Sequence, residues 1–209
     1  MTPNISLTPR EAAFVLDESL KSITRVLDGQ PTRRRLVERR GIAVRVLTEF
    51  DLLFFLAIRD TAADLTPSGR HHLFEALHGV ESSKVRKVPF GSLSIDMSRY
   101  KVELRVRMQR FERLRRSVDH PHDGSDPLIK GKKIEVHRVA ALLDGGATVE
   151  EVMHDFPSLS AAQIETAREY ARAHPKHGRP YPKQSLKSFF RSGALRHMRE
   201  ALEAAETDE

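Results

Sequence analysis

The chain contains no cysteine. That excludes disulfides, a cysteine-ligated zinc site and thiol catalysis. Long hydrophobic runs are missing too. The longest, Leu52 to Ile58, is far too short to cross a bilayer. The first residues, MTPNISLTPRE, lack the basic-then-apolar pattern of a secretory signal. No G-x-G-x-x-G or phosphate-loop pattern occurs, and no Ser/His/Asp arrangement stands out. Carboxylates are scattered along helical stretches rather than paired in apolar clefts. The expectation is a soluble, cytoplasmic protein that is not an enzyme, holds no metal or cofactor and has no membrane partner.

What is present is charge. Among 209 residues, 35 are Lys or Arg and 29 are Asp or Glu, for a formal net charge of +6. A basic balance of this kind suits a polyanionic partner, though it speaks to association rather than to fold. The hydrophobic share, 39%, is enough to build a core. The length leaves room for one domain of ordinary size and a small one.

The N-terminal stretch begins with a strong helix start. Thr8 stands at the cap, Pro9 at the first helical position and Glu11 where it closes a capping box. Ala12, Ala13 and Leu16 share a face. Asp17-Glu18-Ser19 makes a short break, and Leu20, Ile23, Val26 and Leu27 mark the apolar face of a second helix. Two short helices so joined resemble the helix-turn-helix of the MerR and excisionase type. In such a motif the second helix enters the major groove. The residues off its apolar face, Ser19, Lys21, Ser22, Thr24 and Arg25, are therefore the candidate DNA contacts. Arg33, Arg34 and Arg35 follow, then Arg39, Arg40 and Arg45. From Thr8 to Arg45 there are nine basic residues and five acidic ones. Operator DNA is the partner this pattern fits.

Gly41 to Leu47 alternates like a strand, a wing or hairpin arm. Thr48 caps a helix that is apolar all round at Leu52 to Ile58, expected to lie in a core with a share in a subunit interface. A homodimer matching two half-sites is the expected assembly, with a larger hetero-oligomer open. Thr66-Pro67 opens a helix holding Leu73, Phe74 and Leu77, and Gly79 ends it. Val88 to Met97 reads as a strand broken by Pro89 and Gly91, able to pair with Gly41 to Leu47. Ser98 caps a long helix with Val102, Val106, Phe111 and Leu114 in its apolar set. Its other faces are basic: Arg99, Lys101, Arg105, Arg107, Arg110, Arg113, Arg115 and Arg116 stand against Glu103 and Glu112. That surface is either a solvated face or one that meets phosphates or an acidic partner. Val118 to Ser125 is a linker by composition. His120, His122 and Asp123 have the chemistry of metal ligands but read as plain linker polarity.

Asp126 to Pro182 carries the densest local signals. His137 to Leu143 is a short helix ended by Gly145-Gly146. Thr148 with Glu151, and Ser160 with Gln163, are two further capping boxes. Phe156-Pro157 and His174-Pro175 stop the helices they follow. Three short helices with two tight joints make a helix-turn-helix-like unit. From Val149 to Ala173, however, five residues are acidic and two basic. An acidic recognition helix is repelled by a duplex, so this unit is assigned to protein contact.

This stretch resembles a small helical domain family, long catalogued as of unknown function and common in prokaryotic antitoxins. The residues that carry the resemblance are Ile129-Lys130-Gly131, Val136-His137-Arg138-Val139-Ala140, Gly145-Gly146-Ala147-Thr148, Phe156-Pro157-Ser158-Leu159 and Tyr170-Ala171. The chain departs from the family at Lys132, where Thr is usual, and at Glu135, where Pro is. With the N-terminal motif, the whole resembles a VapB-type antitoxin that pairs with a VapC-type ribonuclease. The tail, residues 183–209, begins basic and ends acidic, with an apolar patch at Leu186, Phe189 and Phe190 and a helical spacing of Leu195, Met198 and Leu202. Spacing alone shows an amphipathic segment, which either packs back on its own core or lies in a partner's groove. The resemblance implies the second: Phe189 and Phe190 would anchor in the toxin, with Leu186 beside them, and Arg191 or Arg196 would approach its carboxylate-rich, Mg-binding centre.

The expected fold is mainly α with a small β component. Residues 1–118 form a DNA-binding helix-turn-helix domain, 119–125 a linker, 126–182 a small helical antitoxin-type domain and 183–209 a toxin-binding tail. The expected function is an antitoxin that neutralises a PIN-domain ribonuclease and represses its own operon. The alternatives are a stand-alone helix-turn-helix regulator without a toxin, and an interaction module whose basic helices meet an acidic protein.

Overall fold

In the computed structural model, described for residues 5–28, 36–39, 42–61, 63–79, 86–121, 125–176 and 178–183, the local start and stop signals act where they stand. The first helix, α1 (Pro9–Leu16), opens with a full capping box. Glu11 N–H donates to the Thr8 hydroxyl at 3.3 Å, and Thr8 N–H donates to the Glu11 carboxylate at 2.7 Å. The helix ends at Asp17, whose φ of 57° lies in the left-handed region. There Asp17 N–H reaches the Phe14 carbonyl at 3.3 Å and Glu18 N–H the Ala13 carbonyl at 2.9 Å. This is a Schellman-type stop, and it turns the chain at once into α2 (Leu20–Asp28).

The chain divides into two compact units, Met1–Arg113 and Leu114–Glu209. In the first, α1 packs on α2 and on α3 (Glu49–Thr61). The small Ala12 and Ala13 are buried, with Val15, Leu16, Ile23 and Leu27. Between α2 and α3 stands an antiparallel hairpin, β1 (Leu36–Arg39) and β2 (Ile42–Arg45). Leu7 and Leu47 then exchange backbone hydrogen bonds at 3.0 and 2.7 Å, which closes the motif into a loop. The centre of α3 supplies the core. Leu52, Leu53, Phe54, Phe55, Leu56 and Ala57 are all buried, and Phe54 meets Phe74 of α4 (Pro67–His78) edge-on. The core share of the expectation for this run is met at these six positions, while Ile58 at its end is half-buried.

A second hairpin, β3 (Lys87–Phe90) and β4 (Leu93–Asp96), pairs Phe90 with Leu93. The expected pairing of this region with Gly41 to Leu47 does not occur. Gly91, with φ of 58°, is the first turn residue of a two-residue hairpin rather than a break in one strand. The long helix α5 (Ser98–Arg116) follows. Its first amide, on Ser98, donates to the Asp96 carboxylate at 2.8 Å, so Asp96 does the capping expected of Ser98. Within the first unit α5 buries Tyr100, Leu104 and Phe111, with Phe111 against Phe14. Val102 and Val106, expected in the apolar set, are each 59% exposed.

The second unit begins at the last turn of α5. A short hairpin, β5 (Val118–Asp119) and β6 (Leu128–Ile129), precedes α6 (Val136–Asp144), α7 (Val149–Asp155) and α8 (Ala161–Ala173). Both expected capping boxes form, at Thr148 with Glu151 and at Ser160 with Gln163. Val139, Leu142, Val152, Leu159, Ile164 and Ala167 make the core among three mutually packed helices. His137 is buried, and its Nε2 lies 2.6 Å from the His174 carbonyl. Nε2 donates there, and so satisfies a carbonyl that α8 leaves unpaired at its end. The mainly α fold with small antiparallel hairpins is the one the sequence led us to expect.

Candidate nucleic-acid interface

The second helix of the motif presents one clear outward face. Ile23 and Leu27 are sunk into the core, which sends Lys21, Thr24 and Arg25 to solvent. Lys21 and Arg25 are one helical turn apart, so their cations are neighbours, roughly 5–6 Å apart at Cβ. Neither takes part in an ion pair among the described residues. Two free cations on one turn are donors without acceptors, the state in which a phosphate or guanine edge can take them up.

The hydroxyls on this helix have other work. Ser22 N–H donates to the Ser19 Oγ at 3.0 Å, so Ser19 is the N-cap of α2. The Thr24 hydroxyl donates back to the Leu20 carbonyl at 2.6 Å. Ser19 and Thr24 thus shape the helix first, and base readout would fall chiefly to Lys21 and Arg25. Ser22 is half-buried. Leu20 was placed on the apolar face by its spacing from Ile23, yet it is 39% exposed at the first turn. On the helix its neighbour one turn on is Thr24, and the two cations lie round the side from it. Its position directly after an N-cap serine was the signal that could have singled it out.

The hairpin is tied to this helix. Arg45, at the end of β2, donates to the Leu27 carbonyl at 3.1 Å and to the Asp28 carboxylate at 3.2 Å. A guanidinium at a helix C-terminus meets both the unpaired carbonyls and the negative end of the dipole. Arg45, counted with the basic cluster from sequence, is therefore a strut that fixes β1–β2 beside α2. The candidate contacts Arg33, Arg34 and Arg35 lie outside the described residues, as do the tail residues Leu186, Phe189, Phe190, Arg191 and Arg196.

The basic helix α5 sorts into two groups. Arg99 pairs with Asp60 and donates to the Tyr100 hydroxyl. Arg107 pairs with Glu103 at 2.9 Å, and Glu103 also receives Arg59 at 3.1 Å. The two arginines, with burial working against them, hold the Glu103 carboxyl below its usual range, Arg59 contributing most. Lys101 and Arg110 take part in further interactions. Arg105 and Arg113 are exposed and stand in no ion pair among the described residues.

In the second unit the exposed charges are mainly acidic around α7 and the start of α8: Glu150, Glu151 and Glu165. A clasp closes the far end. The Asp126 carboxylate accepts from Lys176 and from the Tyr181 hydroxyl, and Lys176 also sits over the Tyr181 ring. Burial would raise the Asp126 pKa, but these two partners outweigh it and lower it. Burial and the same carboxylate raise that of Tyr181. Among the described residues no group of three His, Asp or Glu side chains is placed to hold a metal ion. His122 and Asp123 lie outside that set. No helix among the described residues is long and apolar enough to cross a membrane.

Comparison with known proteins places part of this architecture in context. Residues 118–171 match the family described as "Protein of unknown function (DUF433)". That span lies within the second unit, from β5 into α8. Along most of its length the chain is also similar to "Uncharacterized protein y4eO" of Sinorhizobium fredii (strain NBRC 101917 / NGR234). The two are 26% identical over 187 residues, which cover 83% of each chain. No solved structure matches the chain.

Proposed function

We propose that this protein is a DNA-binding antitoxin of the VapB type, which represses its own operon through the first unit and neutralises a VapC-type ribonuclease through the second unit and the tail. The observation that carries the DNA half is the outward face of α2. Among the described residues Lys21 and Arg25 stand in no ion pair there, on a helix fixed by the Asp17 turn on one side and by Arg45 on the other. A tie from the end of a cation-bearing helix to the hairpin that comes next in chain order is suited to hold a groove-reading helix at a set angle.

The toxin half rests on the match of residues 118–171 and on the antitoxin resemblance of that domain. The exposed acidic residues around α7 favour protein over duplex there. Operator DNA and toxin would then be linked partners, since one chain carries both sites.

The test is a gel shift on the DNA upstream of the gene, with the adjacent reading frame co-expressed. Lys21→Ala with Arg25→Ala should weaken DNA binding by roughly tenfold or more and lower the salt slope by about 2, one per lost phosphate contact. The same variant should still suppress the ribonuclease. Loss of suppression with DNA binding intact would reverse the assignment. If the adjacent frame encodes no toxic ribonuclease while the shift persists, the stand-alone regulator is the correct reading.

A further inference from the structure

Valine is costly to leave in water, yet α5 leaves two. Val102 and Val106 are each 59% exposed and one turn apart. Helical spacing continues their stripe through Gln109 and Arg113, and Arg105 lies beside it; all three are exposed. The stripe is therefore an apolar pair set in free positive charge.

Three kinds of occupant come into question, and the charges sort them. A second copy of this chain would bring the same arginines. The carboxylates that might pair with them are engaged: Glu103 is held by Arg59 and Arg107, and Glu112 also takes part in an interaction within its own chain. Two such faces would set Arg against Arg without compensation. A nucleic-acid backbone would suit Arg105 and Arg113 but would leave both valines against phosphate and sugar, where they gain little. An acidic amphipathic helix meets both features, because its apolar side covers the valines and its flanking carboxylates take the arginines.

We infer that the outward face of α5, Val102 and Val106 with Arg105, Gln109 and Arg113, is a docking surface for an acidic amphipathic helix of a partner protein. This surface is separate from the α2 face, and the inference does not depend on the antitoxin reading. The carboxylates steer the encounter, and the valines, once covered, slow dissociation.

The probe is a short synthetic helix with leucines at i, i+4 and i+7 flanked by glutamates, fluorescently labelled and titrated with the full chain. Its counterpart carries lysine for every glutamate. The acidic peptide should bind and the basic one should not, with affinity falling as salt rises. Arg105→Glu with Arg113→Glu should reduce binding by roughly tenfold or more, and Val102→Ser with Val106→Ser by a similar factor. All four positions are exposed, and unchanged circular dichroism and thermal unfolding would verify the fold of each variant. Equal binding by wild type and both double variants overturns the proposal. So does a serine double variant that shifts the monomer–dimer distribution in sedimentation equilibrium, which makes the face a self-association surface. A loss of duplex DNA affinity in that variant, with peptide binding unchanged, makes it a nucleic-acid surface and overturns it equally.

Discussion

The Arg107 guanidinium donates to the Val15 carbonyl at 2.9 Å. A side chain on the fifth helix thereby holds the last turn of the first, next to the left-handed Asp17. The same guanidinium is gripped by Glu103, and Glu103 by Arg59. The placement of the helix-turn-helix on its own unit is thus fixed by a three-residue relay. Arg107→Met keeps the apolar stem and removes the relay. It should cost about 1–2 kcal/mol in chemical denaturation, since hydrogen bonds involving a charged group are removed from a half-buried place. An unchanged unfolding midpoint would show the relay to be incidental.

Stability of the first unit should depend on pH through His78 and Asp51, 3.3 Å apart. Burial opposes a charge on His78, but the Asp51 carboxylate and the Phe74 carbonyl outweigh it and raise its pKa above 6.5. Burial likewise opposes the charge on Asp51, yet His78 and Thr48 lower its pKa below 3.8. The histidine contribution is present in full below pH 6.5 and is lost as pH climbs through the raised value. The aspartate contribution is present above pH 3.8 and is lost as pH falls through the lowered one. Urea midpoints should therefore decline as pH rises above 6.5. His78→Phe, which can keep the stacking on Phe74, should remove that decline.

Asp17 adopts a conformation that glycine reaches at less cost. Asp17→Gly should raise stability by up to about 1 kcal/mol, and Asp17→Val should lower it by more. Calorimetric melting of the two variants gives opposite shifts if the turn is strained as described.

The second unit offers its own check. Thr148→Ala and Ser160→Ala each delete a capping box on an exposed helix start. Each should cost about 1 kcal/mol. Amide exchange should quicken first at Glu151, whose N–H loses its acceptor, and less at Gln163, whose N–H keeps the Ser160 carbonyl at 3.0 Å.

Local signals in the sequence carried most of this fold. The boxes at Thr8, Thr148 and Ser160 and the stops at Gly79 and Pro157 involve residues a few positions apart, so the sequence displays both partners. What it hid depends on residues brought together from afar. On α5 the buried stripe runs Tyr100, Leu104, Arg107, Phe111 and Leu114, a clean helical period interrupted by an arginine. That arginine made the stripe look polar and made Val102 and Val106 look like the core. Only Val15, far along the chain, explains why a guanidinium belongs there. The candidate DNA face proposed on α2 was legible in part. Lys21 and Arg25 were visible as cations off the apolar side, whereas the exposure of Leu20 and the strut role of Arg45 needed the packing of α2 and the hairpin.

The clasp of Asp126 on Lys176 and Tyr181 has a mechanical consequence. It is reinforced where the chain crosses Gly145, at which any added Cβ would collide with the Lys183 backbone. Together they fix the backbone at Lys183 against the end of α6. Chain held at two successive points leaves its support only when both give way, so Tyr181 and Lys183 should open together as one local unit. Loosening the clasp at Asp126 would free Lys183 from Gly145 without touching either residue.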